Sequence, residues 1–238
     1  MITALLFDLD GTLLDSDMNV FMPHYFRALA AKLAPLVPAD RLLDALLTST
    51  RAMMRRSDHT MTNKDAFWAD FLPRVGCSMT ALEPLIDEFY RNDFPTLRRY
   101  TVTKPEARLV IEAAFARGFI VAIATQPVFP LVAIQQRLTW AGVADFPYAL
   151  VTCYENMHTT KPDPAFYTEI CEHIGRPAQA CLMIGNEPEA DIRPAAAAGL
   201  HTFWLTDQGQ PEPPDLPADY TGTLDDVRRL IETWAREK

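Results

Sequence analysis

Short apolar runs recur along the chain, and each of them stops abruptly at a polar residue or a glycine. Continuous apolar runs of this length are typical of strands that are buried on both faces, as in a parallel sheet. We therefore predict a buried strand at each run. The runs span residues 4–7, 119–124, 149–151, 181–184 and 202–205.

Segments with helical signals separate these runs. Thr103 and Glu106 have the spacing of a capping box at the start of one helix, and Pro105 lies in its first turn. Gly118 marks the end of that helix. The alternation of strand and helix predicts an α/β fold with a doubly wound parallel sheet. Further helices are predicted at residues 129–142, 164–175 and 188–199, and from a cap at Thr223 to Arg236.

Residues 17–97 show helical periodicity instead of strand-like runs. Leu42 and Leu46, for example, fall on one helical face with other apolar residues. We therefore predict an all-helical cap domain of residues 17–97, inserted into an α/β catalytic core formed by residues 1–16 and 98–238. The helices of this insert are predicted at residues 18–36, 39–56, 63–74 and 79–92.

Composition and charge narrow the classes of partner. The chain has 238 residues and a net charge of −9, which argues against a nucleic-acid surface or an anionic membrane. It contains no apolar run of membrane-spanning length, no recognisable signal peptide and no Cys-x-x-Cys pair. We therefore expect a cytoplasmic protein with reduced thiols and with no nucleic-acid or membrane partner. The sequence does not indicate the oligomeric state.

Polar residues that can perform chemistry follow the predicted strands. In an open parallel sheet, ligands bind beyond the carboxyl ends of the strands, so side chains that follow different strands converge on one pocket. The residues in question are Asp8, Asp10, Gly11 and Thr12, then Thr125 and Gln126, then Lys161, and finally Gly185, Asn186, Glu187 and Asp191.

This set of side chains suits phosphoryl transfer. Asp8 and Asp10 can both approach a cation, one by its side chain and one by its backbone carbonyl, and such hard oxygen ligands suit Mg²⁺. A cation that neutralises the phosphoryl group makes a carboxylate workable as the nucleophile. Thr125 and Lys161 can stabilise the equatorial phosphoryl oxygens. The second carboxyl group can protonate the leaving oxygen and later deprotonate water.

The order of these residues resembles the motifs of the haloacid dehalogenase superfamily, on its phosphatase side. Asp8-x-Asp10-Gly11-Thr12 is similar to the first motif of that family. The resemblance implies that Asp8 is the nucleophile and Asp10 the general acid and base. It also implies that Gly11 and Thr12 belong to the substrate site, and that the helical insert is a cap that closes over it.

The second and third motifs also occur in order. Thr125 resembles the phosphate-binding hydroxyl of the second motif, and Gln126 stands beside it where asparagine is more usual. Lys161, followed by Pro162, resembles the lysine of the third motif. The resemblance implies that Thr125 and Gln126 bind the substrate and that Lys161 is both catalytic and substrate-binding.

The fourth motif, which binds the metal in this family, is resembled by Gly185-Asn186-Glu187 with Asp191. That motif usually opens with Gly-Asp. Asn186 offers a neutral oxygen instead, so the site carries one negative charge fewer unless Glu187 or Asp191 substitutes. The candidate Mg²⁺ ligands are therefore Asp8, Asp10, Asn186, Glu187 and Asp191.

Structural interpretations compete with these functional ones. Asp8 could be a turn residue, Thr125 a helix cap and Lys161 a solvated loop residue, but their occurrence in order favours catalysis. Arg51 and Arg55 of the insert could bind a second anionic group of the substrate. They share a polar stripe on one helix, so we favour a solvated face for them.

The resemblance leaves several functions open. We favour a Mg²⁺-dependent phosphatase that hydrolyses a small phosphorylated metabolite through an aspartyl-phosphate, because a closing cap would exclude a protein surface. A 2-haloacid dehalogenase attacks carbon without a metal and has no need of Asp10. A sugar-phosphate mutase shares the aspartyl-phosphate but excludes water. A catalytically inactive binding protein with the same fold is the last alternative. Only Asn186, the departure from the fourth motif, favours it.

Overall fold

The structure of the chain, a computed structural model, describes residues 1–206 and 213–234. The strands are β1 (Ala4–Phe7), β2 (Leu14–Asp15), β3 (Val102–Thr103), β4 (Ile120–Ile123), β5 (Leu150–Val151), β6 (Cys181–Gly185), β7 (His201–Leu205) and β8 (Tyr220–Gly222). The helices are α1 (Met18–Leu33), α2 (Ala39–Met54), α3 (Asn63–Val75), α4 (Met79–Glu88), α5 (Pro105–Ala116), α6 (Leu131–Ala141), α7 (Pro164–His173), α8 (Arg193–Ala197) and α9 (Leu224–Thr233).

Six strands form one parallel sheet in the order β5-β4-β1-β6-β7-β8. The central strands β1 and β6 are buried along their whole length, as their continuous apolar runs predicted. The strand order changes direction beside β1, since the chain proceeds from β1 to β4 and β5 and then returns to β6 on the other side. The predicted α/β fold with a parallel sheet is confirmed.

Three of the strands escaped the sequence analysis. The strand β8 has no apolar run, because two of its three residues are exposed at the sheet edge. The strands β2 and β3 form a separate antiparallel pair of two residues each, which is too short to show a pattern.

The capping box predicted at Thr103 is wrong. Thr103 belongs to β3 and its hydroxyl donates to the carbonyl of Trp140 at 2.7 Å, so Lys104 precedes α5 instead.

The helices α1 to α4 follow one another between β2 and β3, and their starts agree with the predicted ones. Side-chain caps fix several of these starts; the hydroxyls of Thr62 and Ser78 accept from backbone amides of α3 and α4. The predicted extension of α4 to residue 92 is only partly right, because a wider turn at Phe89–Asp93 and a tighter one at Phe94–Tyr100 replace the regular helix.

Aromatic packing joins the helical insert to the sheet-bearing part of the chain. Phe21 of α1 and Phe94 both contact the ring of Trp140 on α6, and all three side chains are buried. The insert and the core therefore share one apolar cluster. The domain division at residues 17–97 stays a prediction.

The last segments deviate modestly from their predicted limits. The segment 188–199 contains a wide turn at Pro188–Ile192 before the short helix α8, rather than one continuous helix. Thr223 and Asp226 form a capping box at the start of α9, as the predicted cap required. Arg236, the predicted end of that helix, lies outside the described residues. In the described part of the chain, no helix has the length and apolarity that crossing a membrane requires.

Candidate active site

A pocket of about 300 Å³ lies beyond the carboxyl ends of β1, β4 and β6. This is where the strand order changes direction, which is the expected place for a ligand in an open α/β sheet. The structure brings together at this pocket most of the residues that the motifs singled out. Those that line it are Asp8, Asp10, Thr125, Gln126, Lys161, Glu187 and Asp191.

A buried lysine lies between two buried carboxylates in this pocket. The Lys161 ammonium donates to Asp8 Oδ1 at 2.7 Å and to Asp191 Oδ1 at 2.6 Å. Burial by itself would lower the pKa of Lys161, but the charges of Asp191 and Asp8 outweigh burial and raise that pKa above its ordinary value. Burial also raises the pKa of Asp191 to about 7, although Lys161 opposes this rise. The lysine therefore remains cationic and orients Asp8.

Hydrogen bonds fix the segments that carry these side chains. The Gln126 amide spans the backbone of Lys161: its Nε2 donates to the Lys161 carbonyl and its Oε1 accepts from the Lys161 amide, both at 3.0 Å. The carbonyl of Thr125 accepts from the hydroxyl of Thr152 at 2.7 Å, which ties the end of β4 to the end of β5. Gln126 thus positions Lys161, in addition to lining the pocket.

Asp191 is held on both of its oxygens. Its Oδ1 accepts from Lys161, and its Oδ2 accepts from the backbone amide of Glu187 at 2.9 Å. A Cβ on Gly185 would collide with this carboxylate, so the close approach requires glycine. Glu187, in contrast, is exposed at the edge of the pocket.

Two partners of Asp10 were missed by the sequence analysis. The hydroxyl of Ser16 donates to Asp10 Oδ1 at 2.7 Å, and Arg137 Nη2 forms an ion pair with the same oxygen. The Arg137 guanidinium is buried against the rings of Phe21 and Phe129, at 5.5 and 5.3 Å from their centroids. Burial lowers the pKa of Arg137 to about 10, while the charge of Asp8 opposes this fall.

A signal for Arg137 was nevertheless present in the sequence. The buried residues of α6 follow helical spacing, and Arg137 stands within this apolar stripe between Ile134 and Leu138. An arginine on the buried face of a helix needs a charged partner, because an unpaired buried charge is strongly unfavourable. That partner is Asp10.

We expect Arg137→Met to lower kcat about 10- to 100-fold with little change in KM, because Asp10 loses one of two groups that position it. General acid–base catalysis is worth about 10²–10⁴-fold, and imperfect placement forfeits part of it. The chain should stay folded, because methionine fills the apolar surroundings and because Asp10, which is partly exposed to water, keeps its hydrogen bond from Ser16. Steady-state kinetics on an aryl phosphate and a melting curve test this. Arg108→Met, at an exposed ion pair on α5, is the control; wild-type kcat in Arg137→Met would contradict the expectation.

The first-motif turn and Asn186 pack against each other beside the pocket. Among the described residues, Gly11, Thr12 and Asn186 are not part of the pocket lining; Gly11 and Asn186 border a neighbouring polar cavity. Gly11 has a φ of +76°, and the Thr12 hydroxyl donates to Asn186 Oδ1 at 3.0 Å. The Asn186 amide oxygen therefore faces Thr12.

The oxygen donors of the pocket fit a hard cation that keeps part of its water shell. In the described ranges, no group of three or more His, Cys, Asp or Glu side chains is arranged to hold a metal ion. Asp8 and Asp10 line the pocket and carry oxygen donors, and the exposed Glu187 lies at its edge. Mg²⁺ is commonly bound by one or two carboxylates with waters and substrate oxygens, so this donor set suits it.

Comparison with known proteins places the chain among hydrolases. The model of the haloacid dehalogenase-like hydrolases matches residues 2–199. The chain is 30% identical to an N-acetylmuramic acid 6-phosphate phosphatase of Pseudomonas aeruginosa, over 98% of this chain and 95% of that protein. It is 27% identical to a phosphoglycolate phosphatase of Vibrio cholerae, over 95% and 96% of the two chains. A phosphoserine phosphatase of Thermus thermophilus is 27% identical over 66% of this chain. The match covers only 59% of that protein.

Solved structures share the fold over nearly the entire chain. A 2-haloacid dehalogenase from Pseudomonas syringae pv. tomato superposes with a TM-score of 0.65 at 23% identity, covering 99% of this chain and 100% of the other. A haloacid dehalogenase-type phosphatase from Thermococcus onnurineus has a TM-score of 0.60 at 21% identity. This match also covers 99% of this chain and 100% of the other. Since phosphatases and dehalogenases both match, this likeness establishes the fold alone.

Proposed function

The chain belongs to the haloacid dehalogenase-like hydrolases, and from this premise we propose that it is a Mg²⁺-dependent phosphatase for a small phosphorylated metabolite. The observation that carries the proposal is the cationic Lys161, bound to Asp8 within a pocket that also holds Asp10. Relatives that align over nearly their whole length are named as phosphatases of small phosphate esters, which supports the same reaction.

In the proposed reaction, a carboxylate oxygen of Asp8 attacks phosphorus, and the bond from phosphorus to the ester oxygen breaks. Asp10 gives its proton to that leaving oxygen. Asp10 then removes a proton from water, the water oxygen attacks the phosphorus of the aspartyl-phosphate, and inorganic phosphate leaves while the Asp8 carboxylate is regenerated. Lys161 and Thr125 stabilise the phosphoryl oxygens in both steps.

The metal of the proposal is Mg²⁺, with Asp8 and the backbone carbonyl of Asp10 as its ligands. When bound, Mg²⁺ would neutralise the negative charge that the nucleophile and the phosphoryl group share. Of the fourth-motif residues, Asp191 is engaged by Lys161 and by a backbone amide, and Asn186 faces Thr12. These contacts support the exposed Glu187 as the further ligand, directly or through water.

The competing functions have weaker support. A 2-haloacid dehalogenase needs no proton donor two residues after its nucleophile, whereas Asp10 is held beside the pocket by Ser16 and Arg137. A sugar-phosphate mutase would use the same aspartyl-phosphate, but the relatives that align over nearly their whole length are named as phosphatases.

The helical insert is proposed as the cap over this site, because Met18 and Met22 of α1 line the pocket.

We expect Mg²⁺-dependent release of inorganic phosphate from small phosphorylated compounds, including an aryl phosphate ester and the acyl phosphate acetyl phosphate. The reason is the combination of a carboxylate nucleophile, a proton-transferring carboxyl group and a cationic lysine in one pocket. Phosphate release is measured with saturating Mg²⁺ and again with EDTA. Absence of turnover on every ester, with the protein folded, would contradict the proposal. Chloride release from a 2-chloro acid without metal would instead indicate the dehalogenase.

A further inference from the structure

A second cavity, of about 180 Å³, lies within the helical insert next to the catalytic pocket. The two cavities have three lining residues in common: Met22 of α1, and Val128 and Phe129, which follow β4. The ring of Phe129 packs against Tyr25 at 5.3 Å on the side of the second cavity and against the Arg137 guanidinium at 5.3 Å on the side of Asp10. The second cavity, here called the insert cavity, is therefore adjacent to the catalytic pocket.

The walls of the insert cavity are apolar and largely aromatic. Leu29, Leu46 and Phe71 are representative of them, and they come from three different helices of the insert. Of the described residues that line it, one, Arg51, is charged, and that residue is exposed on α2.

Besides Arg51, the polar groups of this lining are a few hydroxyls and one indole N–H, on Tyr25, Thr50, Trp68, Tyr90 and Tyr154. The hydroxyls of Tyr25 and Tyr90, both buried, are hydrogen-bonded to one another at 3.1 Å. A carboxylate or a sugar ring placed against the apolar walls, away from Arg51, would lose water without gaining enough partners, which is strongly unfavourable. An apolar group of the same size would gain from leaving water.

We propose that the insert cavity receives the organic part of the substrate, and that this part is an apolar group of about one six-membered ring. A dry apolar cavity of roughly 150 Å³ is large enough to bind benzene, so the available space matches a single ring or a short branched chain. The substrate class is then a phosphate monoester of an apolar alcohol. This assignment rests on the proposed phosphatase function, because it places the phosphoryl group at Asp8 and the organic part beyond Phe129.

The experiment compares benzyl phosphate, phosphoglycolate and acetyl phosphate in the full chain and its variants. Leu46→Trp adds bulk to the cavity wall, and Thr50→Phe does so from a second position if the first variant does not fold. Leu43→Trp is the matched control, since Leu43 lies on the same helix but is 39% exposed. The readout is kcat/KM for benzyl phosphate divided by kcat/KM for acetyl phosphate, so that any general loss of activity cancels.

Wild-type protein is expected to prefer benzyl phosphate over phosphoglycolate by at least about 10-fold, the effect of burying one apolar group. Leu46→Trp or Thr50→Phe should lower the benzyl-to-acetyl ratio about 10- to 100-fold, and Leu43→Trp should leave it unchanged. Equal ratios in all variants, or a preference for phosphoglycolate, would overturn the assignment of the cavity while leaving the phosphatase intact. No turnover of acetyl phosphate by wild-type protein would overturn the proposed function itself.

Discussion

Asp8→Asn is expected to abolish turnover and the covalent intermediate together. An amide oxygen is a poor nucleophile, so the substitution removes the group that we propose attacks phosphorus, and the rate should fall by more than about 10⁴-fold. The pocket should otherwise persist, because asparagine has nearly the same shape and its oxygen can still accept from Lys161. The loss would therefore report chemistry rather than folding.

Trapping with beryllium fluoride separates Asp8 from Asp10, because that ion forms an analogue of the acyl phosphate on a carboxylate nucleophile. Wild-type protein and Asp10→Asn should both be trapped, whereas Asp8→Asn should not. Asp10→Asn should nevertheless be slowed about 10²–10⁴-fold in turnover, since it lacks the proton-transferring group. Equal trapping of wild type and Asp8→Asn would show that another residue carries the phosphoryl group.

The sheet and most helix positions could be predicted because their patterns depend on local physics. Strands that are covered on both faces must be apolar throughout, so β1 and β6 stand out as unbroken runs. The convergence of Asp8, Thr125 and Lys161 followed from the same sheet, because the carboxyl ends of parallel strands lie at one edge. Edge strand β8, in which two of three residues are exposed, has no such pattern.

The contacts between distant side chains could not be predicted in the same way. Nothing local indicates that Arg137 meets Asp10, because the pair depends on how α6 packs on the turn after β1. The role of Gln126 in holding the Lys161 backbone likewise depends on two loops that are 35 positions apart. Thr103 has the local spacing of a helix cap, but pairing with Leu14 in the β2–β3 ribbon overrides that tendency.

The second large effect is expected for Lys161→Met, which leaves the buried carboxylates of Asp8 and Asp191 without their shared cation. Removal of one partner from a buried ion pair costs about 3–5 kcal/mol of the free energy of unfolding, because the remaining charge is neither solvated nor paired. Urea unfolding in EDTA measures this quantity. Lys32→Met is the control: Lys32 also bridges two carboxylates, Glu88 and Asp93, but these are exposed, so the loss should be at most about 1 kcal/mol.

A double-mutant cycle tests whether burial of charge is the cause. Adding Asp191→Asn to Lys161→Met removes one of the two stranded charges, and the asparagine side chain can still accept from the Glu187 amide through its oxygen. The double variant should therefore be more stable than the sum of the single losses predicts, by about 1–3 kcal/mol. Additive losses, or a loss in Lys161→Met no larger than in Lys32→Met, would mean that Asp191 and Lys161 are not coupled through charge. Their ion pair would then not contribute to the stability of the pocket, and Asp8 would be the carboxylate that Lys161 stabilises.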